Sequence, residues 1–269
     1  ILALAVRASE TVSDTIAVRR RTRPMSLPAE MQWRVLPPSQ FAGRGVRVSA
    51  AVEPAYETGG DVFDYAVNGN RLFVAVLDAR GHGLRAATTA AVATSAMRRS
   101  RRNGDGLIEI AREMHTSIGA LGDEGEFVST ILLELSLDTW EGHWLSAGHL
   151  PPLVVTDRVV SLDVHPTLPL GMVVNGESSD PLLQEVALAE DEALVLFSDG
   201  IVENASEDDG SAVGEQRFHR VLLDRLAADD GVGHVARSVV EDLLAITGPS
   251  LRDDATLLIL DRCAAGETR

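Results

Sequence analysis

From Gly45 onward, apolar residues fall at alternate positions or in unbroken runs of five or six, the pattern of half-buried and fully buried strands. Val46 to Val52 alternates or nearly so. Asp61 to Val67 and Arg71 to Asp78 flank Asn68-Gly69-Asn70, a hairpin-turn signal. Phe127 to Leu137 and Gly142 to Ser146 predict a second hairpin around Asp138-Thr139, and Leu153 to Val155 with Val159 to Leu162 a third. Glu185 to Leu188, Ala193 to Phe197 and Ala255 to Leu260 add further strands. Elsewhere the period changes. Leu84 to Met97 is Ala-rich and free of Gly and Pro, which predicts a helix. Arg98 to Arg102 falls at its C-terminus, where cations suit the helix dipole, and Asn103-Gly104 stops it. Leu107 to Ile118, Arg217 to Ala227 and Val232 to Ile246 predict three more helices.

The order is therefore strands, two helices, many strands, two helices, one strand. Hairpin-linked strands imply antiparallel sheet. Helices in consecutive pairs, instead of one between each pair of strands, argue against a doubly wound fold. The expected class is α+β, with two antiparallel sheets each covered by a helix pair. No internal repeat or interior linker interrupts it, so one domain is expected over 42–262, with a helical linker over 1–41 and a tail over 263–269. Within the linker, Arg19-Arg20-Arg21-Thr22-Arg23-Pro24 breaks the first helical stretch. Ser26 then Pro28 reads as a new helix start, with Leu27, Met31 and Val35 four apart on one face and Pro37-Pro38 as its end. This helix has two possible homes: a second copy of the chain, or its own domain.

Composition narrows the function classes. At 269 residues and 45% apolar the chain has ample core, and no run of 18 apolar residues predicts a membrane span. The opening Ile1 to Val6 is too short and lacks the basic flank of a signal peptide. It also lacks an initiator Met, so the chain is expected to be a fragment with an upstream sensory region. A single Cys263 forbids an internal disulfide and fits a reducing, cytoplasmic setting. Residues 1–47 hold eight Arg against three acids, a net of +5, whereas 48–269 hold 16 Arg against 37 acids, a net of −21. So acidic a body argues against nucleic acid as the main partner. All 24 basic residues are Arg, which excludes Lys-based chemistry.

Four short acidic motifs carry the candidate chemistry: Gly59-Gly60-Asp61, Asp78-Ala79-Arg80-Gly81-His82-Gly83, Ser198-Asp199-Gly200 and Arg252-Asp253-Asp254-Ala255-Thr256. Three of them sit where an apolar run begins or ends. A carboxylate at a buried strand end is costly unless a cation meets it. Several such carboxylates, without Lys or Arg beside each, point to a hard divalent cation. Glycines in the first two motifs would let backbone carbonyls approach it.

The wording and spacing of these motifs resemble the metal-dependent PPM-type protein serine/threonine phosphatases, and more narrowly their bacterial SpoIIE-like branch, relatives of protein phosphatase 2C. Phe127-Val128-Ser129-Thr130, Ala147-Gly148-His149-Leu150-Pro151-Pro152 and Leu168-Pro169-Leu170-Gly171-Met172 match the same branch. The resemblance covers about 50–262 and implies a four-layer αββα sandwich. It implies two Mn²⁺ or Mg²⁺ ions bridged by Asp78, one served also by Asp61 and the Ala79 carbonyl, the other by Asp199 and Asp253. It implies phosphoester hydrolysis by metal-activated water with no covalent intermediate, centred on Asp78 and Asp199, and on His82 if that residue acts as general acid and does not merely pack at a helix start. The implied partners are a phosphorylated STAS-type anti-anti-sigma factor, an upstream sensor in cis and a second copy through the N-terminal helix.

Several neighbouring residues read differently. Asp254 competes with Asp253 for the ligand role. Asp64, three residues past Asp61, faces the other way on a strand and is expected to make a structural hydrogen bond. His149 is expected to be structural, and Arg80 exposed. Ser206 to Gly210 is expected to form an acidic flap near Asp199. Two rivals from other classes are a silent module that keeps the fold but acts by binding a partner, and a structural Ca²⁺ site. The first would have lost metal carboxylates, and the second draws ligands from one compact loop, whereas these span 61 to 253.

Overall fold

The computed structural model describes residues 26–53, 59–122, 125–174, 180–205, 211–228, 234–247 and 253–263. In chain order the elements are α1 (Leu27–Val35), β1 (Gln40–Gly43), β2 (Val46–Glu53), β3 (Asp61–Asn68), β4 (Arg71–Ala79), α2 (Gly83–Asn103) and α3 (Leu107–Gly119). There follow β5 (Val128–Ser136), β6 (Glu141–Ala147), β7 (Leu153–Val155), β8 (Val159–Ser161), β9 (Gln184–Ala187) and β10 (Ala193–Phe197). The chain closes with α4 (Asp199–Ala205), α5 (Ser211–Ala227), α6 (Val235–Thr247) and β11 (Ala255–Arg262). One sheet runs β1-β2-β11-β10-β7-β8 and the other β3-β4-β5-β6-β9, and every pairing is antiparallel.

The alternation of side chains along each strand builds the layers. On β4, Leu72, Val74 and Val76 meet Leu194, Leu196, Leu258 and Leu260 of the other sheet. Phe73, Ala75 and Leu77 point the opposite way, onto α2 and α3. On β10 and β11, Val195, Phe197, Leu257 and Ile259 likewise face α4, α5 and α6. Strands buried on both faces read as continuous apolar runs, which is why β4, β10 and β11 carry them. The result is the αββα sandwich. The alanines of α2 (Ala86, Ala90, Ala93) are buried against its sheet, where small side chains permit close approach. Gly104, at φ +87°, ends α2 in the left-handed conformation.

Three elements differ from the sequence expectation. β1 and the seven-residue α4 were not expected, because four and seven residues are too few to establish a period. α5 begins at Ser211, six residues before Arg217, since Gly214 obscures the helical pattern. The N-terminal helix packs on its own domain with the expected apolar face only partly inward: Val35 packs on the core, whereas Leu27 does not. Ser26 caps it by accepting from the Ala29 N–H at 3.3 Å. Its buried residues are Ala29 and Gln32, while Leu27 is 63% and Trp33 53% exposed. The expected segments over 1–25 and 206–210 lie outside the described residues.

Asp64 has the structural role expected of it, in a stronger form. It is 2% exposed and receives Arg98 Nη2 and Arg101 Nη1 at 2.8 Å each. Arg98 also donates to the Val35 carbonyl at 2.5 Å, which ties α1 to α2, and Arg101 lies over the Phe73 ring. Removing one partner of a buried ion pair leaves the other uncompensated. Asp64→Ala is expected to lower unfolding stability by about 3 kcal/mol, measured by urea denaturation. A loss under about 0.5 kcal/mol, the ordinary range for surface sites, would show the pair to be solvated.

Candidate active site

The four motifs gather at one edge of the sandwich because of where the strands stop. Asp61 opens β3 and is paired in register with Asp78, near the end of β4. In the other sheet, Phe197 closes β10 opposite Leu257 of β11, so Ser198-Asp199 and Asp253-Asp254 emerge side by side. Ser198 locks the two: its N–H donates to the Thr256 carbonyl at 3.0 Å, and its Oγ accepts from the Thr256 N–H at 3.0 Å. Asn204 of α4 donates to the carbonyls of Gly200 at 2.7 Å and Asp253 at 2.9 Å. A Cβ at Gly200 would lie 1.8 Å from the Asp254 carbonyl, so only glycine allows α4 to start this close.

The Ala79 carbonyl is placed by a similar contact. Ala79 donates its N–H to the Gly60 carbonyl at 3.2 Å, and a Cβ at Gly60 would meet the Ala79 oxygen at 2.6 Å. Gly60→Ala is therefore expected to displace that carbonyl and lower stability by about 2 kcal/mol, read by thermal unfolding. Unchanged stability would mean the β3–β4 end relaxes freely.

The acids act on one another's titration. Burial and then the charges of Asp199, Asp253, Asp254 and Glu203 push Asp78 up to about 7. Burial is also the main cause for Asp253, raised to about 6, with the Asp254 N–H pulling down and Asp199, Asp254 and Glu203 pushing up. Asp61 is raised well above its usual range by burial, Asp78 and Asp254. The Ser198 and Thr256 hydroxyls pull it down, although Thr256 Oγ1 has no well-formed partner. Asp61 Oδ2 is buried without a partner among the described residues. Among the described residues no three His, Cys, Asp or Glu side chains close on one point. An oxygen-only donor set, mutual repulsion and an orphaned carboxylate oxygen nonetheless suit hard divalent cations.

The structure pairs Asp61 with Asp78, sets Ala79 against Gly60, and leaves Asp199, Asp253 and Asp254 near enough to act on Asp78, without closing them on one point. His82 is exposed at the N-cap position of α2, four residues after Asp78, and makes no capping side-chain bond. His149 is buried, its Nδ1 at 3.2 Å from the Leu150 carbonyl. Burial lowers its pKa against the raising influence of that carbonyl and of Asp199, so it lies within the field of the site. Arg80 is exposed, as expected, and holds Gly125 O at 2.9 Å with its guanidinium over Phe127. Two residues escaped the sequence reading. Glu203 lies one turn after Asp199 on α4, a spacing that would have shown it had the helix been foreseen. Gln32 of α1 donates from Nε2 to the Asp61 carbonyl at 2.7 Å and to Asp254 Oδ2 at 3.2 Å. Nothing in the apolar pattern singles it out.

Comparison with known proteins bears on the family and the fold. The model of the family described as Stage II sporulation protein E (SpoIIE) matches residues 68–263. The phosphoserine phosphatase RsbU of Bacillus subtilis is 20% identical over 216 residues, 80% of this chain and 63% of that protein. The chain thus spans under two thirds of that relative's length. The structure of the RsbU and RsbW domains of Rv1364c from Mycobacterium tuberculosis superposes with a TM-score of 0.69 at 24% identity, covering 81% of this chain and 60% of the other. The catalytic domain of the serine threonine protein phosphatase PstP, in complex with two manganese ions, gives a TM-score of 0.59 at 15% identity, covering 81% and 99%. At such identities the superpositions establish the shared fold.

Proposed function

Because this chain belongs to the SpoIIE family, we infer that it is a metal-dependent protein serine/threonine phosphatase. The observation that carries the reading is the carboxylate edge: among the described residues, the principal influences on Asp78 are burial and four other carboxylates. Two relatives add support, one named a phosphoserine phosphatase and one solved with two manganese ions.

Asp78 would hold two cations jointly, with Asp61 and the Ala79 carbonyl completing one side and Asp199 and Asp253 the other. When bound, Mn²⁺ or Mg²⁺ supplies Lewis acidity toward phosphoryl oxygens and makes water acidic enough to ionise near neutral pH. Gly60 keeps the Ala79 carbonyl in reach, and Ser198 with Asn204 fixes the Asp199 and Asp253 main chain. His82, exposed beside the Asp78 turn, is assigned to protonate the departing Ser or Thr oxygen. No thiol is available for a covalent route, since Cys263 follows β11 and donates its N–H to Gly45 O.

The proposed substrate is a phosphorylated STAS-type anti-anti-sigma factor in a cytoplasmic signalling pathway. The proposed partners are an upstream sensory domain and a second copy seated on the exposed Leu27 and Trp33 of α1. Among the described residues no helix is long and apolar enough to cross a membrane. The test is hydrolysis of a phosphoserine peptide and p-nitrophenyl phosphate with Mn²⁺, Mg²⁺ or EDTA. Turnover with metal and none in EDTA is expected. Mn²⁺ shown bound without turnover on either substrate would favour the silent module.

A further inference from the structure

One side chain carries α1 into the acidic edge. Gln32 is 1% exposed, deeper than the apolar Leu27 and Trp33 on its own helix. Long polar side chains rarely sit inside unless their bonding is provided for. Part of that provision is clear. Nε2 donates to the Asp61 carbonyl at 2.7 Å and to Asp254 Oδ2 at 3.2 Å. Asp61 opens β3 in one sheet and Asp254 immediately precedes β11 in the other. A single amide therefore joins the two halves of the site. Pro28 of the same helix packs on Gly59, where a Cβ would stand 3.1 Å away, so α1 lies directly on the turn before Asp61.

The orientation of the amide follows from its partners. A carbonyl and a carboxylate both accept, so nitrogen must face them; the flipped amide would set oxygen against two oxygens. Among the described residues this leaves Gln32 Oε1 buried with no partner, as Asp61 Oδ2 is. Two buried acceptors without donors, both at the carboxylate edge, describe a site shaped for something electropositive.

We propose that Gln32 is a positioning residue of the cation site: it fixes the Asp61 main chain and the Asp254 carboxylate, and its Oε1 accepts from water held there. The proposal rests on the metal-dependent reading above. It also sorts the adjacent acids. Asp254 is 2% exposed and held by Gln32, whereas Asp253 is half-buried and accepts the Asp254 N–H on Oδ1 at 2.8 Å. Asp254 is thus the strut and Asp253 the ligand.

The test is Mn²⁺ titration calorimetry on the whole chain, with Gln32→Met and Gln32→Ala beside the parent. Met keeps the length and burial and removes every polar atom, including the orphaned oxygen. Gln32→Met is expected to melt in EDTA within a few degrees of the parent yet to bind Mn²⁺ at least 10-fold more weakly, the usual loss when an outer partner of a ligand is removed. Gln32→Ala is expected to lose at least as much affinity. If both bind Mn²⁺ within twofold of the parent, whatever their melting temperatures, Gln32 merely docks the helix and the proposal is overturned. A parent chain that binds no Mn²⁺ overturns this role and the metal-dependent reading together. Binding is read without substrate, so a failure of the phosphatase reading alone would show separately, as a chain that binds Mn²⁺ and turns nothing over.

Discussion

Asp78→Asn is expected to abolish Mn²⁺-dependent hydrolysis and, in EDTA at pH 7.5, to raise the melting temperature. Both effects have one cause. Asp78 is crowded by Asp199, Asp253, Asp254 and Glu203 and is partly withdrawn from water, so its charge is unfavourable until a cation meets it. Asparagine keeps the shape, removes the charge and cannot bridge two cations. Losing the proposed shared ligand should reduce turnover at least about 1,000-fold, equivalent to about 4 kcal/mol of transition-state stabilisation. Relieving the repulsion should stabilise the metal-free fold, the usual trade at a functional site. Steady-state hydrolysis and calorimetric melting in EDTA check the two arms. Parental turnover in Asp78→Asn would take the carboxylate edge out of the chemistry. A lowered melting temperature in EDTA would show that the acids are not under mutual strain.

Much of the fold was legible because it rests on short-range pattern. The double-sided burial of β4, β10 and β11 writes itself as Leu72 to Leu77, Ala193 to Phe197 and Ala255 to Leu260. Gly69, at φ +62°, marks the β3–β4 turn, and Gly104 the end of α2. The acids were legible because they stand at the ends of those same runs. What the sequence withheld is tertiary. Nothing local says that Leu27 stays in solvent while Gln32 goes inside, since that choice is made by the carbonyl of Asp61 and the carboxylate of Asp254, 29 and 222 residues away. Glu203 was missed for a related reason: α4 is too short to declare a period, so its alignment with Asp199 one turn earlier went unseen. His149, read as structural from its place before Pro151-Pro152, is buried and also feels Asp199.

The metal-free protein is expected to lose stability as pH rises through the slightly acidic range, the reverse of an ordinary ion-paired carboxylate. Asp78 titrates near 3.8 when unfolded and at about 7 when folded. Between those values the native state holds a proton that the unfolded chain has released. Stability contributed by Asp78 is therefore fully present below about pH 4 and is lost as pH rises to about 7, a change of about 4 kcal/mol. Two histidines oppose this trend. His149 and His219 have lowered pKa values, chiefly through burial, so their contribution grows with pH up to the ordinary histidine value of 6.5. Asp180, lowered mainly by its bond to Arg112, has its stabilisation complete above 3.8 and does not interfere. Subtracting the Asp78→Asn melting curve cancels the histidines and leaves Asp78 together with the part of the Asp61 shift that the Asp78 charge causes. In EDTA, the stability of the parent relative to Asp78→Asn should fall by about 3 kcal/mol between pH 4 and pH 7, most of the full change. With excess Mn²⁺ the difference should change sign, because the cation takes the place of the proton and binds the ionised parent alone. A difference that stays flat in EDTA would mean that Asp78 titrates as an ordinary carboxylate. A difference that Mn²⁺ does not reverse would mean that the carboxylates gather for some purpose other than holding a cation.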